Sequence, residues 1–283
     1  MSFIQTADGV DLYFEDTEED GKPIVFIHGW PLSGSMWEYQ VGPLSEAGLR
    51  CITYDRRGFG QSDKPADGYD FETLGNDLAV LLEELDLRDV TLVGFSMGGG
   101  EVAEYLSRHN QDRRVTSAIF VASVVPFLLK TADNHNGVDA SIFAEMRTGL
   151  RTDRPEFIAG FVKTFFGVGV LTSPVSDNML AANCQVAMLA SPIATIACIE
   201  TFSSTDFRRQ SQKFDVPTLI IHGDADATVP IEPTGKAAAA LIPGATFKVY
   251  SGAPHGLHYT HRAKLNADIA AFVTGGQVAL AAE

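Results

Sequence analysis

Cysteine is scarce in this chain. Only Cys51, Cys184 and Cys198 occur, an odd number spread far apart. That argues against a disulfide frame and offers no metal-ligand spacing, so reduced thiols in a cytoplasmic protein are expected. Positive charge is also short, with 21 Lys and Arg against 36 Asp and Glu and a net charge of −15. This balance repels phosphate backbones and anionic lipid, which argues against nucleic-acid and membrane-surface roles. No uninterrupted apolar run approaches the ~18 residues of a membrane span. The nearest, "NCQVAMLASPIATIACI", is broken at Ser191-Pro192 and reads as pieces of helix. The opening "MSFIQTADGVDLYFEDTEEDGKP" has neither a basic n-region nor an apolar h-region, so no signal peptide is expected.

What remains is ordinary globular composition, 45% hydrophobic and 20% charged over 283 residues. That suits one large domain carrying an insertion. "SFIQ" and "VDLYFED" flank an Asp8-Gly9 turn signal and predict a hairpin. Short apolar runs follow at 24–29, 50–55, 90–94 and 115–123. Between them lie helical patterns, such as Phe71, Leu74, Leu78, Leu81 and Leu85 at three- and four-residue spacing. Strands alternating with helices imply a mostly parallel sheet covered on both faces. The rhythm stops over 126–211, where phenylalanines sit on helix-like pieces with no strand signal. It resumes at 216–224 and 246–250, and a last helix is expected over 264–273. The expected division is a core of 1–125 and 212–275, a helical cap of 126–211 and a loose tail of 276–283.

Glycine is plentiful, and "VTLVGFSMGGG" places Ser96 between Gly94 and Gly98, after a strand and before a helix. A sharp turn there lifts a hydroxyl above the sheet, and the following helix N-terminus favours developing negative charge. A serine needs a base, and the base an orienting acid. Of seven histidines, His28 and His222 end apolar strands just before glycine and read as part of the strand-end framework. His109 and His135 lie in polar stretches and read as solvated. His255, in "SGAPHGLHYTH", follows the last strand in a glycine- and proline-shaped loop, where a parallel sheet gathers its ligands. His258 and His261 stand close enough to line the mouth; without nearby acids the three make a poor zinc site. In "HGDADATVP" both Asp224 and Asp226 follow a strand. Asp224 suits a turn-holding role, and loop position favours Asp226 as the acid. The order Ser96, Asp226, His255 differs from the orders of chymotrypsin-like and subtilisin-like enzymes. An oxyanion hole would take one N–H from Met97 and one from Trp30 in "FIHGWPLSG", whose Pro31 restricts Trp30 to extended backbone.

With those pieces in place, the chain resembles the α/β-hydrolase superfamily, closest to its cofactor-free (non-haem) haloperoxidase/perhydrolase and arylesterase branch. The likeness covers about residues 1–274 and is carried by "FIHGWPLSGSMW", "YDRRGFGQSDKP", "VTLVGFSMGGGEVAEY", "VPTLIIHGDADATVPIEPTG" and "LIPGATFKVYSGAPHGL". It implies a mostly parallel eight-stranded sheet flanked by helices. It places the nucleophile on Ser96, the acid on Asp226, the base on His255 and the oxyanion donors on Trp30 and Met97. The segments "TADNHNGVDAS" and "HGLHYTH" depart most from the family, and with them the substrate range.

The expected function is a carboxylesterase or arylesterase of small acyl or aryl esters, acting through an acyl-enzyme. The resemblance adds perhydrolysis: a small acid acylates Ser96 and hydrogen peroxide replaces water. No cofactor and no metal are implied. Substrate contacts are expected from Phe127, Phe143, Phe161 and Phe165 of the insertion, with Val229 on the acid loop. The alternatives are a γ-lactamase or lactonase at the same triad, or a non-catalytic hydrolase-like binding protein. The partners expected are a small ester or acid with water or peroxide; assembly, including a homo-oligomer, is left open.

Overall fold

The computed structural model describes residues 2–170 and 172–276; the tail expected to be loose, 276–283, lies outside them from Gln277 onward. Eight strands form one sheet in the order β1-β2-β4-β3-β5-β6-β7-β8. β1 (Ser2–Gln5) and β2 (Asp11–Asp16) make the expected hairpin, and β2 joins β4 (Arg50–Tyr54) antiparallel. The other pairings are parallel, through β3 (Pro23–Ile27), β5 (Val90–Phe95), β6 (Val115–Val121), β7 (Thr218–Gly223) and β8 (Thr246–Tyr250). β5 and β7 are buried at every position, which is why they read as unbroken apolar runs rather than alternating ones.

Helices α1 (Glu38–Glu46), α2 (Phe71–Glu84) and α3 (Gly98–Arg108) connect the first parallel strands. The chain goes from β3 outward to β4, then back across β3 to β5 and on toward β8. The reversal lies between β3 and β5, so the loops leaving their C-terminal ends diverge and open a crevice. Trp30 follows β3 and Ser96 follows β5. Because β3 and β5 are neighbours, the topology sets both residues at the edge of that crevice.

Among the described residues of 126–211 there is no strand, only two isolated bridges, Leu129 with Val138 and Thr131 with Asn134. Its helices are α4 (Ala140–Thr152), α5 (Arg154–Phe165), α6 (Asp177–Met188) and α7 (Pro192–Ser204), followed by a single turn at Arg208–Ser211. Two of these breaks have a clear local cause. Asp153 caps α5 by accepting the Glu156 N–H, and Ser191 caps α7 with Pro192 in its first turn. α6 and α7 meet at 96°, and no single helix among the described residues is long and apolar enough to cross a membrane.

Candidate active site

β5 delivers Ser96 at its end with φ of +54°, a left-handed conformation rare for a residue with a side chain. Its N–H still donates to Val121 O at 3.0 Å, so the strand ladder anchors the turn up to the serine. The glycines are a packing requirement. A Cβ on Gly94 would lie 2.7 Å from Gly98 O, and one on Gly98 2.6 Å from Ile27 O. The start of α3 thus rests on the sheet, beneath a hydroxyl that the turn lifts clear.

His255 Nε2 lies 2.9 Å from Ser96 Oγ, and His255 Nδ1 lies 2.6 Å from Asp226 Oδ2. An ionised carboxylate only accepts, so Nδ1 carries the proton and Nε2 is left to accept from the serine. The other Asp226 oxygen accepts the Thr228 and Val229 N–H groups at 2.9 and 2.8 Å. Burial alone would push the Asp226 carboxyl up. The electrostatic pull of the facing His255 ring and the bonds from His222 and His255 outweigh it and hold the carboxyl well below the usual carboxylate range. His222 supports this loop from below: Nε2–H donates to Val229 O at 2.9 Å and lies 3.4 Å from Asp226 Oδ2. Asp224 is exposed and accepts the Gly252 N–H at 2.6 Å, so it ties its loop to the one after β8 rather than holding its own turn as expected.

The loop after β3 is held just as closely. β3 stops at Ile27, two residues short of the expected Gly29, because His28 leaves the ladder and turns its ring into the framework. Its Nε2 accepts the Arg56 N–H at 3.0 Å, so Nδ1 carries the proton and donates to Gly29 O at 2.9 Å. Burial, then the charge of Arg56, keeps the ring neutral. Arg56 also donates to His28 O at 2.7 Å and pairs with buried Glu101. Gly29 O accepts a second bond from Leu32 N–H at 3.0 Å. In a trans peptide C=O and N–H point opposite ways, so these bonds turn the Trp30 N–H to the other side. Neither the Trp30 nor the Met97 N–H has a protein acceptor among the described residues. Trp30 is joined to Pro31 by a cis peptide, and its indole N–H donates to Thr195 O of α7 at 2.9 Å.

A cavity of about 380 Å³ opens onto Ser96. Trp30, Phe143, Phe161 and Val229 line it. Phe127 and Phe165, expected in that wall, do not. Phe127 is packed under the Arg208 guanidinium, 4.9 Å from its ring centre. Phe165 packs edge-on against the His255 ring at 5.0 Å, behind the base rather than in front of it. Phe157 and Phe202 take the missing places in the wall, with Met146, Leu128 and Ile142. The spacing of Phe157 and Phe161, one helical turn apart, was the available signal for the first of these.

The remaining histidines also shift from expectation. His258 and His261 do not line this cavity. His258 is buried against Phe95, Phe165 and Trp37. Burial, then the nearby His255, pushes its pKa down to about 3. His261 is half-buried and bonds the Thr260 hydroxyl at 2.9 Å. His135 is exposed, but His109 lies against Tyr105 with Nε2 buried and unpartnered. Among the described residues no group of three His, Cys, Asp or Glu side chains is placed to hold a metal ion.

The model of the α/β hydrolase fold family matches residues 22–262. A non-heme chloroperoxidase of Kitasatospora aureofaciens is 40% identical over 96% of this chain and 99% of that protein. A bifunctional esterase/perhydrolase of Acinetobacter calcoaceticus is 34% identical over the same shares, 96% and 99%. The crystal structure of a bromoperoxidase from Bacillus anthracis is 46% identical over 96% of this chain and 100% of that one, with a TM-score of 0.92.

Proposed function

The chain belongs to the α/β-hydrolase fold family, in its non-haem haloperoxidase and esterase/perhydrolase branch, and from that premise we propose that it is a serine carboxylic ester hydrolase. One observation carries the reading: a continuous proton path from Ser96 Oγ through His255 to Asp226, at 2.9 and 2.6 Å. Ser96 Oγ attacks the ester carbonyl carbon while His255 Nε2 takes its proton. The carbonyl oxygen becomes an oxyanion that the Trp30 and Met97 N–H groups receive. Asp226 keeps the ring in the needed tautomer and offsets the imidazolium charge. His255 returns the proton to the leaving alkoxide, leaving an acyl-enzyme. Water then enters and attacks as His255 takes its proton, and the second oxyanion collapses to the acid while His255 returns that proton to Ser96 Oγ.

Phenylalanine-rich helices over the cavity support small aryl or acyl esters as substrates, with residues 126–211 acting as a cap. The same parts support perhydrolysis, in which hydrogen peroxide instead of water attacks the acyl-enzyme and a peracid leaves. The bifunctional relative favours that second reading. We take the Trp30 carbonyl as the acceptor that orients peroxide, so Pro31→Leu, by moving it, should change the peroxide-to-water partition. An organophosphonate probe tests the main reading: a covalent adduct on Ser96 by mass spectrometry is expected, and its absence overturns the assignment.

A further inference from the structure

The cavity wall carries one charge and no countercharge. Glu156 is the only ionisable side chain that lines it among the described residues. Nothing described bonds to or pairs with its carboxylate. Glu156 stands in the first turn of α5 and is exposed, whereas Ser96 and His255 are buried. At the other end of α5, Phe165 packs on His255. The nine steps from residue 156 to residue 165 span ~14 Å of helix axis. One helix therefore runs from beside the base to the mouth, and between its ends the wall is uncharged and largely apolar, with Phe157 and Phe161 on α5 itself and Thr164 and Thr228 as its hydroxyls besides Ser96.

We infer that Glu156 is a charge filter at the outer end of the cavity, which admits hydrophobic esters with a neutral or cationic far end and turns away those ending in a carboxylate. This rests on the serine-hydrolase reading of Ser96. An entering carboxylate gives up hydration, finds no Lys, Arg or His on the wall and faces a like charge. A cationic head gains the Glu156 carboxylate and the faces of nearby aromatic rings. An acid in a helix's first turn also suits the helix dipole, but that role affects stability and is blind to substrate charge.

The test compares three p-nitrophenyl esters of equal length whose far ends are methyl, trimethylammonium and carboxylate. kcat/KM is measured for each in the wild-type protein, Glu156→Gln and Glu156→Lys, at low and high salt. In the wild type the cationic ester is expected ahead of the anionic one. Glu156→Gln should shrink that ratio about fivefold, the size of an exposed ion pair, and Glu156→Lys should reverse the order. High salt should compress the wild-type ratio. A flat wild-type order, or a ratio that neither variant moves, overturns the filter alone. If no ester is cleaved and Ser96 takes no phosphonate label, the hydrolase reading fails and the filter with it.

Discussion

At the strand ends, the proposed catalytic groups are fixed by directed bonds. Asp226 takes one bond from His255 and two from its own loop, and the Gly29 carbonyl takes two more. Over 126–211 the cavity wall is fixed by contact. Phe157 stacks on Phe161 at 6.4 Å, and Phe161 meets Trp30 edge-on at 5.0 Å. Directed bonds fix angles, and packing fixes volume. Substitutions at the strand ends should therefore remove the chemistry, while those in the helices should change which substrate receives it.

The largest effect expected is at the nucleophile. Ser96→Ala should lower kcat on a short ester by about 10⁴- to 10⁶-fold with the fold intact by circular dichroism. A loss under tenfold would break the comparison at once. Asp226→Asn should cost about 10⁴-fold, because the amide supports the wrong ring tautomer. Across the divide, Phe161→Ala should lower kcat/KM for aryl esters about tenfold and spare acetate esters. If acetate suffers equally, the wall is not separable from the chemistry.

A stability measurement sharpens the same contrast. His258, buried among aromatic rings, has its pKa pushed down to about 3, against ~6.5 when unfolded. The fold favours its neutral form, so its contribution is present above ~6.5 and is lost as pH falls toward 3. Tm should fall through that window, and His258→Phe should fall less steeply. Part of the slope should remain, because His28 is also held neutral. The smallest effect is expected at Asp224→Ala, which loses one exposed turn bond to Gly252. About 1 kcal/mol of stability should go, with esterase activity within about twofold.

The contrast also explains what the sequence made legible. Ser96, Asp226 and His255 stand in turns whose shape is local, written in neighbouring glycines and strand ends, so they could be singled out one by one. Asp224 differs, because its bond reaches Gly252 in the loop after β8, a partner that its own turn does not announce. Which phenylalanine faces the cavity is a matter of helix rotation, and that is set by partners distant in the chain. Phe165 is expected there and turns elsewhere, as does Phe127, which lies ahead of α4 and outside any helix; Phe157 and Phe202 face it instead. Burial of Arg56 with Glu101 is illegible in the sequence for a related reason. Each looks like a surface charge until the fold places them together beneath His28.

The far end of α5 has a consequence for exchange of parts between relatives. Phe165 O accepts the Gly256 N–H at 2.7 Å, directly beside His255. A Cβ on Gly256 would meet the Phe166 ring at 2.4 Å. The helical segment is therefore not a detachable module. A chimaera that replaces all of 126–211 brings in a foreign seat for the base, however well its pocket suits the new substrate. The graft boundary that keeps His255 in place runs through α5, with the mouth-side turns exchanged and Phe165 and Phe166 retained.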